Sequence, residues 1–409
     1  MEQPHDSGSS FTTIVFKHQR IPKGEHLSEL LRQFEREHPT IRVKEETLPS
    51  SSDGMHQFYV TNLESASSEF DVFTVDVIWV QEFVRAGWLQ DLTPYFSAEE
   101  INTFLPAPLQ ACTYSGKLYA APWFVDAGIL FYRKDLLEKY GFEPPTTFTE
   151  LVQSTQVILS GENDPALRGF IWQGKQYEGL VCNVLEIVWS NGGEVIADGG
   201  SRLNSPESIQ ALQLMQDLVF KHKVSPEMVM TGMEESTRHV FGDGKAVYMR
   251  NWPYAWNLFQ SEGSPVRGKV GITVVPHFEG GESAATLGGW QLGVNRFSKH
   301  REAAVELVKY LSRYESQKHV VLTMGFKPSR LDVYEDPEVL SEQPFLIGLK
   351  KVLLKAKPRP VTPYYLMISQ VLQSEFSAAL SGVKSPEDAL ADAERQINRI
   401  LELEKIATR

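Results

Sequence analysis

The sequence predicts an α/β fold in two domains, each a mainly parallel sheet flanked by helices, and three observations predict it. Strand-like and helix-like segments alternate from residue 11 onward, which favours parallel pairing through crossover connections. At 409 residues the chain is long for one hydrophobic core. Over residues 118–141, LYAAPWFVDAGILFYRKDLLEKYG, an apolar aromatic run with one acid, Asp126, gives way to a fresh strand and helix, as expected where one domain hands over to the next.

Taken in order, FTTIVFK at 11–17 has strand density in β-branched and aromatic residues. After the loop HQRIPKGE, Leu27, Leu30, Leu31 and Phe34 share one face of a helix over 26–38. Pro39 precedes IRVKEETL, which alternates as a second strand. A helix near 56–65 leads to a buried strand at 72–77 and a helix at 80–86 ended by Gly87. The run at 129–132 reads as a strand, and the helix at 134–140 stops at Gly141, a residue suited to the left-handed terminator.

A helix at 148–159 and a strand at 169–172 follow, then a long amphipathic helix at 179–189 that ends at Asn191-Gly192-Gly193. Beyond a short strand at 194–197, Ser205 is placed to cap a helix over 205–220, with Pro206 in its first turn. A helix at 236–241 precedes a strand at 246–249 that delivers Arg250, Asn251, Trp252, Pro253 and Tyr254. Strands at 271–275 and 289–294 and helices at 299–310 and 316–323 come next. From Pro337 the chain is mainly helical, at 344–355, 364–381 and 385–403, with Lys357-Pro358-Arg359-Pro360 held extended by its prolines.

Composition narrows the function. Forty Lys and Arg against 52 Asp and Glu give a net charge of −12 with no basic block, which argues against nucleic acid or an anionic membrane surface as partner. No window approaches the apolar length that spans a bilayer. The polar start, MEQPHDSGSS, has no apolar segment of the secretory type. Cys112 and Cys182 are too few for a disulfide scaffold or a clustered zinc site, and either a bridge or two buried thiols fits them.

Several motifs in order match one family. They are GKLYAAPWFVDAGILFYRKDLLEKYG at 116–141, FDVFTVDVIW at 70–79, GFIWQGKQYEGL at 169–180, FGDGKAVYMRNWPYAW at 241–256, LGGWQLGVN at 287–295 and PRP at 358–360. On these the sequence resembles the substrate-binding proteins of bacterial ABC sugar importers, the group related to maltose-binding protein, and within it the trehalose/maltose type. The resemblance implies a two-lobed periplasmic-binding-protein fold of type II, with 11–122 and 287–330 in the first lobe and 127–270 and 331–409 in the second. Hinge segments are expected at 122–126, 271–286 and about 326–332. It also implies hinge closure on a ligand, delivery to a membrane permease, and a periplasmic or extracellular place, with a lipid anchor as one route to it.

A sugar presents many hydroxyls and flat C–H faces, so its site needs carboxylates or amides, one or two cations, and aromatic planes. Asp76 and Asp126, both at strand ends, are the acids expected to accept sugar hydroxyls. Their bland alternatives are capping of the helix at 77–86 by Asp76 and an ion pair of Asp126 with Arg133. Trp252 and Tyr254 flank Pro253, where the family motif supplies an aromatic floor. Trp290 follows Gly289, whose lack of a side chain lets backbone approach a ligand. Core packing is the alternative for all three aromatics.

Arg359, between two prolines, matches the family's cleft arginine; a solvated loop charge is its alternative. Gln19 lies on the first strand-to-helix loop, where the family often contributes a polar ligand, although an acid or Asn is commoner there. Glu178 and Trp123 complete the expected ligand set, while Arg133 is read as structural and Trp79 as buried.

The reading is a non-enzymatic receptor for a disaccharide such as trehalose, maltose or sucrose, monomeric so that its rim stays free to dock. It needs no cofactor and no metal. Its rival is a glycoside hydrolase, since paired carboxylates and aromatic platforms also describe that site. Against the rival, no Glu stands beside an apolar motif that would raise its pKa. No phosphate-binding loop, nucleophile elbow or metal-binding His spacing is present. A binding protein for a non-sugar solute is the third reading.

Overall fold

The computed structural model describes residues 11–21, 24–48 and 52–407. The polar first ten residues, on which the reading about a secretory segment rests, lie outside them. The chain divides into unit 1, residues 1–125 and 289–344, and unit 2, residues 126–288 and 345–409. It therefore changes unit at 125/126, 288/289 and 344/345. The third change comes later than the expected 326–332, because Tyr314 and Lys318 of the helix Tyr314–Met324 bind Asp336 and hold that stretch in unit 1. Residues 271–286, expected as a hinge, belong to unit 2.

Unit 1 is built on a six-stranded sheet whose strands lie in the order Lys327–Pro328, Ala120–Ala127, Leu287–Val294, Val72–Asp76, Thr12–Gln19 and Ile41–Leu48. Thr12–Gln19 pairs in parallel with both Ile41–Leu48 and Val72–Asp76, as the opening β-α-β pattern predicts. Leu287–Val294 and Lys327–Pro328 enter antiparallel, since each arrives from a later excursion of the chain instead of a crossover helix. The helix Gly24–Glu37 buries Leu27, Leu30, Leu31 and Phe34, the face its spacing marks out. Beneath the sheet lies an aromatic core of Tyr59, Phe70, Phe73, Trp79 and Phe83.

Unit 2 holds a four-stranded sheet in the order Val270–Thr273, Ile129–Arg133, Ala246–Asn251, Arg168–Ile171. Only the Ala246–Asn251 and Arg168–Ile171 pair is parallel; Ile129–Arg133 runs against both its neighbours. The sheets are thus more mixed than a mainly parallel reading has it. Gly141, at φ +71°, ends the helix Lys134–Tyr140, and Ser205 caps Pro206–Phe220 by accepting from the Ser208 N–H.

The helix Glu178–Ser190, expected to be amphipathic, is buried on nearly all sides, because helices Pro206–Phe220 and Tyr365–Leu380 cover the faces that would otherwise meet water. Cys112 and Cys182 are free, buried thiols, one in each unit. Burial pushes the Cys182 thiol up to about 12. Among the described residues no helix is long and apolar enough to cross a membrane.

Candidate functional site

In unit 2 the strand Ala246–Asn251 ends at a buried charge pair. Arg250 Nε donates to Glu186 Oε2 at 2.8 Å, and Nη2 donates to Oε1. Both side chains are essentially sealed, at 2% and 1% exposure. A carboxylate so placed must be paired, since an unpartnered buried charge costs several kcal/mol. The pair reaches Gly128 so closely that a Cβ there would lie 1.9 Å from Glu186 Oε1 and 2.4 Å from Arg250 Nη2. Glu186 also accepts the Thr286 N–H at 3.0 Å, bracing the chain before the strand Leu287–Val294.

The same guanidinium carries Trp252. Arg250 Cζ lies 4.2 Å from the centre of the indole, a cation–π contact that fixes the ring from one side. The indole N–H donates to Glu234 Oε1 at 3.4 Å, and Tyr177 donates its hydroxyl to Glu234 Oε2 at 2.8 Å. Beside it, Tyr254 donates to Glu235 Oε1 at 2.6 Å. Arg238 grips the Glu235 carboxylate and holds it below the usual range. Burial and the adjoining carboxylates push the Tyr177 and Tyr254 phenols far up, so both remain donors.

Asp126 joins this group. A Cβ placed on Gly288 would meet the Trp252 ring edge at 3.0 Å and the Asp126 Cβ at 3.5 Å, so acid and indole flank one glycine. Arg133, the alternative partner for Asp126, makes a bidentate bond to Asp135 and donates to the Gly244 carbonyl. Asp126 and Trp252 are both half-buried. Together they offer a carboxylate and an aromatic surface at one place, which suits a hydroxylated ring with an apolar face.

In unit 1, Asp76 and Trp290 are cross-strand partners. Asp76 accepts from Ser52 Oγ at 3.1 Å and from the Ile78 N–H at 3.3 Å, a local turn contact; the helix Val80–Arg85 has Trp79 at its N-cap, so Asp76 does not cap it. Trp290 is half-buried and stands edge-on to Trp79, with ring centres 5.5 Å apart at 88°. Trp79 itself is buried, as expected. Gln19 is buried and accepts from Thr74 Oγ1 at 2.8 Å across the sheet.

Four expected ligand residues are placed differently by the structure. Trp123 is 0% exposed and packs against Phe16 and Phe124, because the strand Ala120–Ala127 runs through the sheet interior where a hinge segment is expected. Gly289, at φ +117°, makes room for a strand: a Cβ there would lie 2.3 Å from the Phe124 carbonyl oxygen. Glu178 and Arg359 bind each other. Arg359 Nη1 donates to Glu178 Oε1 at 2.7 Å and Nη2 to the Leu287 carbonyl at 3.1 Å, while Tyr365 and Ser369 also donate to Glu178.

Tyr177, Glu234 and Glu235 had not been singled out from the sequence. The two acids open the helix Glu234–Gly242, where first-turn acids ordinarily just complement the helix dipole. They lie 17–20 residues before Trp252 and Tyr254 in the chain, so no local sequence signal pointed to them.

Comparison with known proteins places these features in a family. A family model described as bacterial extracellular solute-binding protein matches residues 17–318. A probable ABC transporter-binding protein of Deinococcus radiodurans is 40% identical over 366 residues, 88% of this chain and 86% of that one. Among solved structures, the maltose-bound MalE3 protein of T. maritima is 42% identical with a TM-score of 0.88, covering 95% of this chain and 99% of its own. A solute-binding protein of Thermotoga lettingae bound with α-D-tagatose is 25% identical with a TM-score of 0.84, covering 96% and 100%.

Proposed function

The chain belongs to the bacterial extracellular solute-binding proteins, and we propose that within them it is a receptor for a disaccharide of the maltose, trehalose or sucrose kind. It is a sugar-binding component of an ABC importer with the two-lobed α/β fold of the maltose-binding proteins, and its relatives are binding proteins, not enzymes. The observation that carries the disaccharide reading is the meeting of Asp126 and Trp252 across Gly288. A carboxylate that accepts paired hydroxyls beside an indole that covers a C–H face is the pairing a pyranose ring requires. The maltose bound by the T. maritima relative, at 42% identity, supports the same class.

The ligand engages Trp252 and Asp126; Asp76 and Trp290 are further candidates for contact with it, and binding favours a closed state through the ligand's higher affinity for that state. A membrane permease then takes the loaded receptor, which acts as a monomer outside the cytoplasmic membrane. Calorimetric titration with maltose, trehalose, sucrose and their monosaccharides tests the ligand class. Saturation by a disaccharide at one site per chain supports it; binding of only non-sugar solutes overturns it. Small-angle scattering tests closure: the radius of gyration should fall on saturation, and an unchanged value contradicts the closing motion.

A further inference from the structure

Unit 1 carries a group of side chains that sugar binding does not use. His26 and Glu29 lie one turn apart on the helix Gly24–Glu37, and His319 comes from Tyr314–Met324, which packs against that helix. One ligand atom from each of the three lies within 4.8 Å of the others. His26 Nδ1 is 3.9 Å from Glu29 Oε2, and the two imidazoles face edge to plane at 6.3 Å. Nε2 of His319 is buried with no hydrogen-bond partner. A buried polar nitrogen left so is costly, and it calls for an explanation.

We infer that His26, Glu29 and His319 form a binding site for a divalent transition metal, with Zn²⁺ as the best fit. Two imidazoles and a carboxylate suit Zn²⁺, Co²⁺ or Ni²⁺, whereas Mg²⁺ and Ca²⁺ prefer all-oxygen sites. Ligands about 2.0–2.1 Å from a tetrahedral Zn²⁺ stand about 3.3 Å apart. The three groups must therefore draw in by up to about 1.5 Å, a movement that side-chain rotation supplies. Glu29, 61% exposed, is free to make most of it. Water takes the fourth position. The bound ion would join two helices distant in sequence, and a ligand that binds the folded chain alone raises its stability by mass action. The pattern escapes a sequence search because His319 is far along the chain from the other two.

The test uses the full chain and Zn²⁺ alone, with Mg²⁺ as control. One Zn²⁺ per chain should bind and raise the thermal midpoint, chelator should reverse the rise, and Mg²⁺ should do neither. His319→Ala should weaken Zn²⁺ binding at least tenfold while maltose affinity stays unchanged. Should that variant fail to fold, Glu29→Ala, at an exposed position, and His26→Gln must show the same loss. Co²⁺ should give visible tetrahedral absorption in the wild type and lose it in the variants. Equal Zn²⁺ uptake by wild type and variants, or none by the wild type, would overturn the site.

Discussion

In unit 2 the tryptophan proposed to meet ligand, Trp252, rests on a buried guanidinium, whereas in unit 1 the other proposed one, Trp290, stands edge-on to a buried indole. The first support is electrostatic and all-or-none: Arg250 is tolerable inside unit 2 only while Glu186 neutralises it. The second is graded, because Trp79 packs among Phe83, Tyr59 and His56 through dispersion and ring-edge contacts that can be lost piecemeal. Two similar aromatic surfaces are thus held by unlike physics and should fail in unlike ways.

The largest effect is expected from Arg250→Met. It strands the Glu186 carboxylate, so denaturant unfolding should show a loss of about 3–5 kcal/mol, most of it recovered when Glu186→Gln is added. If the single and double variants are equally unstable, charge pairing is not what supports Trp252. Next comes Trp79→Leu, which leaves unit 1 underpacked at a cost of about 2 kcal/mol by the same measurement. Adding a compensating charge change should rescue nothing there.

Smaller still are the effects on ligand. Trp252→Ala and Trp290→Ala should each weaken maltose about tenfold, or about 1.4 kcal/mol, with little change in melting. A loss confined to one of them would mean that only one unit presents a sugar surface.

The smallest effect concerns pH and sharpens the contrast from the side of unit 1. The Lys318 ammonium, the Tyr314 hydroxyl and the Val339 N–H hold the Asp336 carboxyl far below the usual range. A folded pKa below the unfolded one means stability that is complete above the unfolded value, about 3.9, and is lost as pH falls toward the folded value. Asp336→Asn should therefore cost about 1 kcal/mol at pH 7, with the difference from wild type shrinking below about pH 4. A difference that stayed constant down to pH 3 would contradict the assignment.

How much of this was legible in the sequence depended on the physics in play. The opening β-α-β unit was readable because Leu27, Leu30, Leu31 and Phe34 repeat at helical spacing between alternating strands, and all four are buried. Gly141 and Ser205 were readable because terminators and caps are local. Trp252, Asp126, Asp76 and Trp290 were candidates from their motifs, and the structure brings the first two together and the last two together.

What escaped was non-local. Trp123 was expected among the ligand residues of a hinge segment, but its strand lies inside a sheet whose neighbours come from residues 287–294 and 327–328. Gly289 was read for ligand access, while its conformation serves the close approach to Phe124. Glu178 and Arg359 looked like two independent ligands; only the fold shows that each satisfies the other. Glu234 was invisible because nothing local tells a dipole-complementing acid from one that anchors Trp252 and Tyr177.

Asp126 and Trp252 are proposed to act together on a sugar. Titrating maltose into the wild type and into the Asp126→Ala/Trp252→Ala double variant measures that. Saturable binding in the wild type, weakened at least a hundredfold in a double variant that melts normally, is the predicted result. Equal affinity in the two proteins would contradict it.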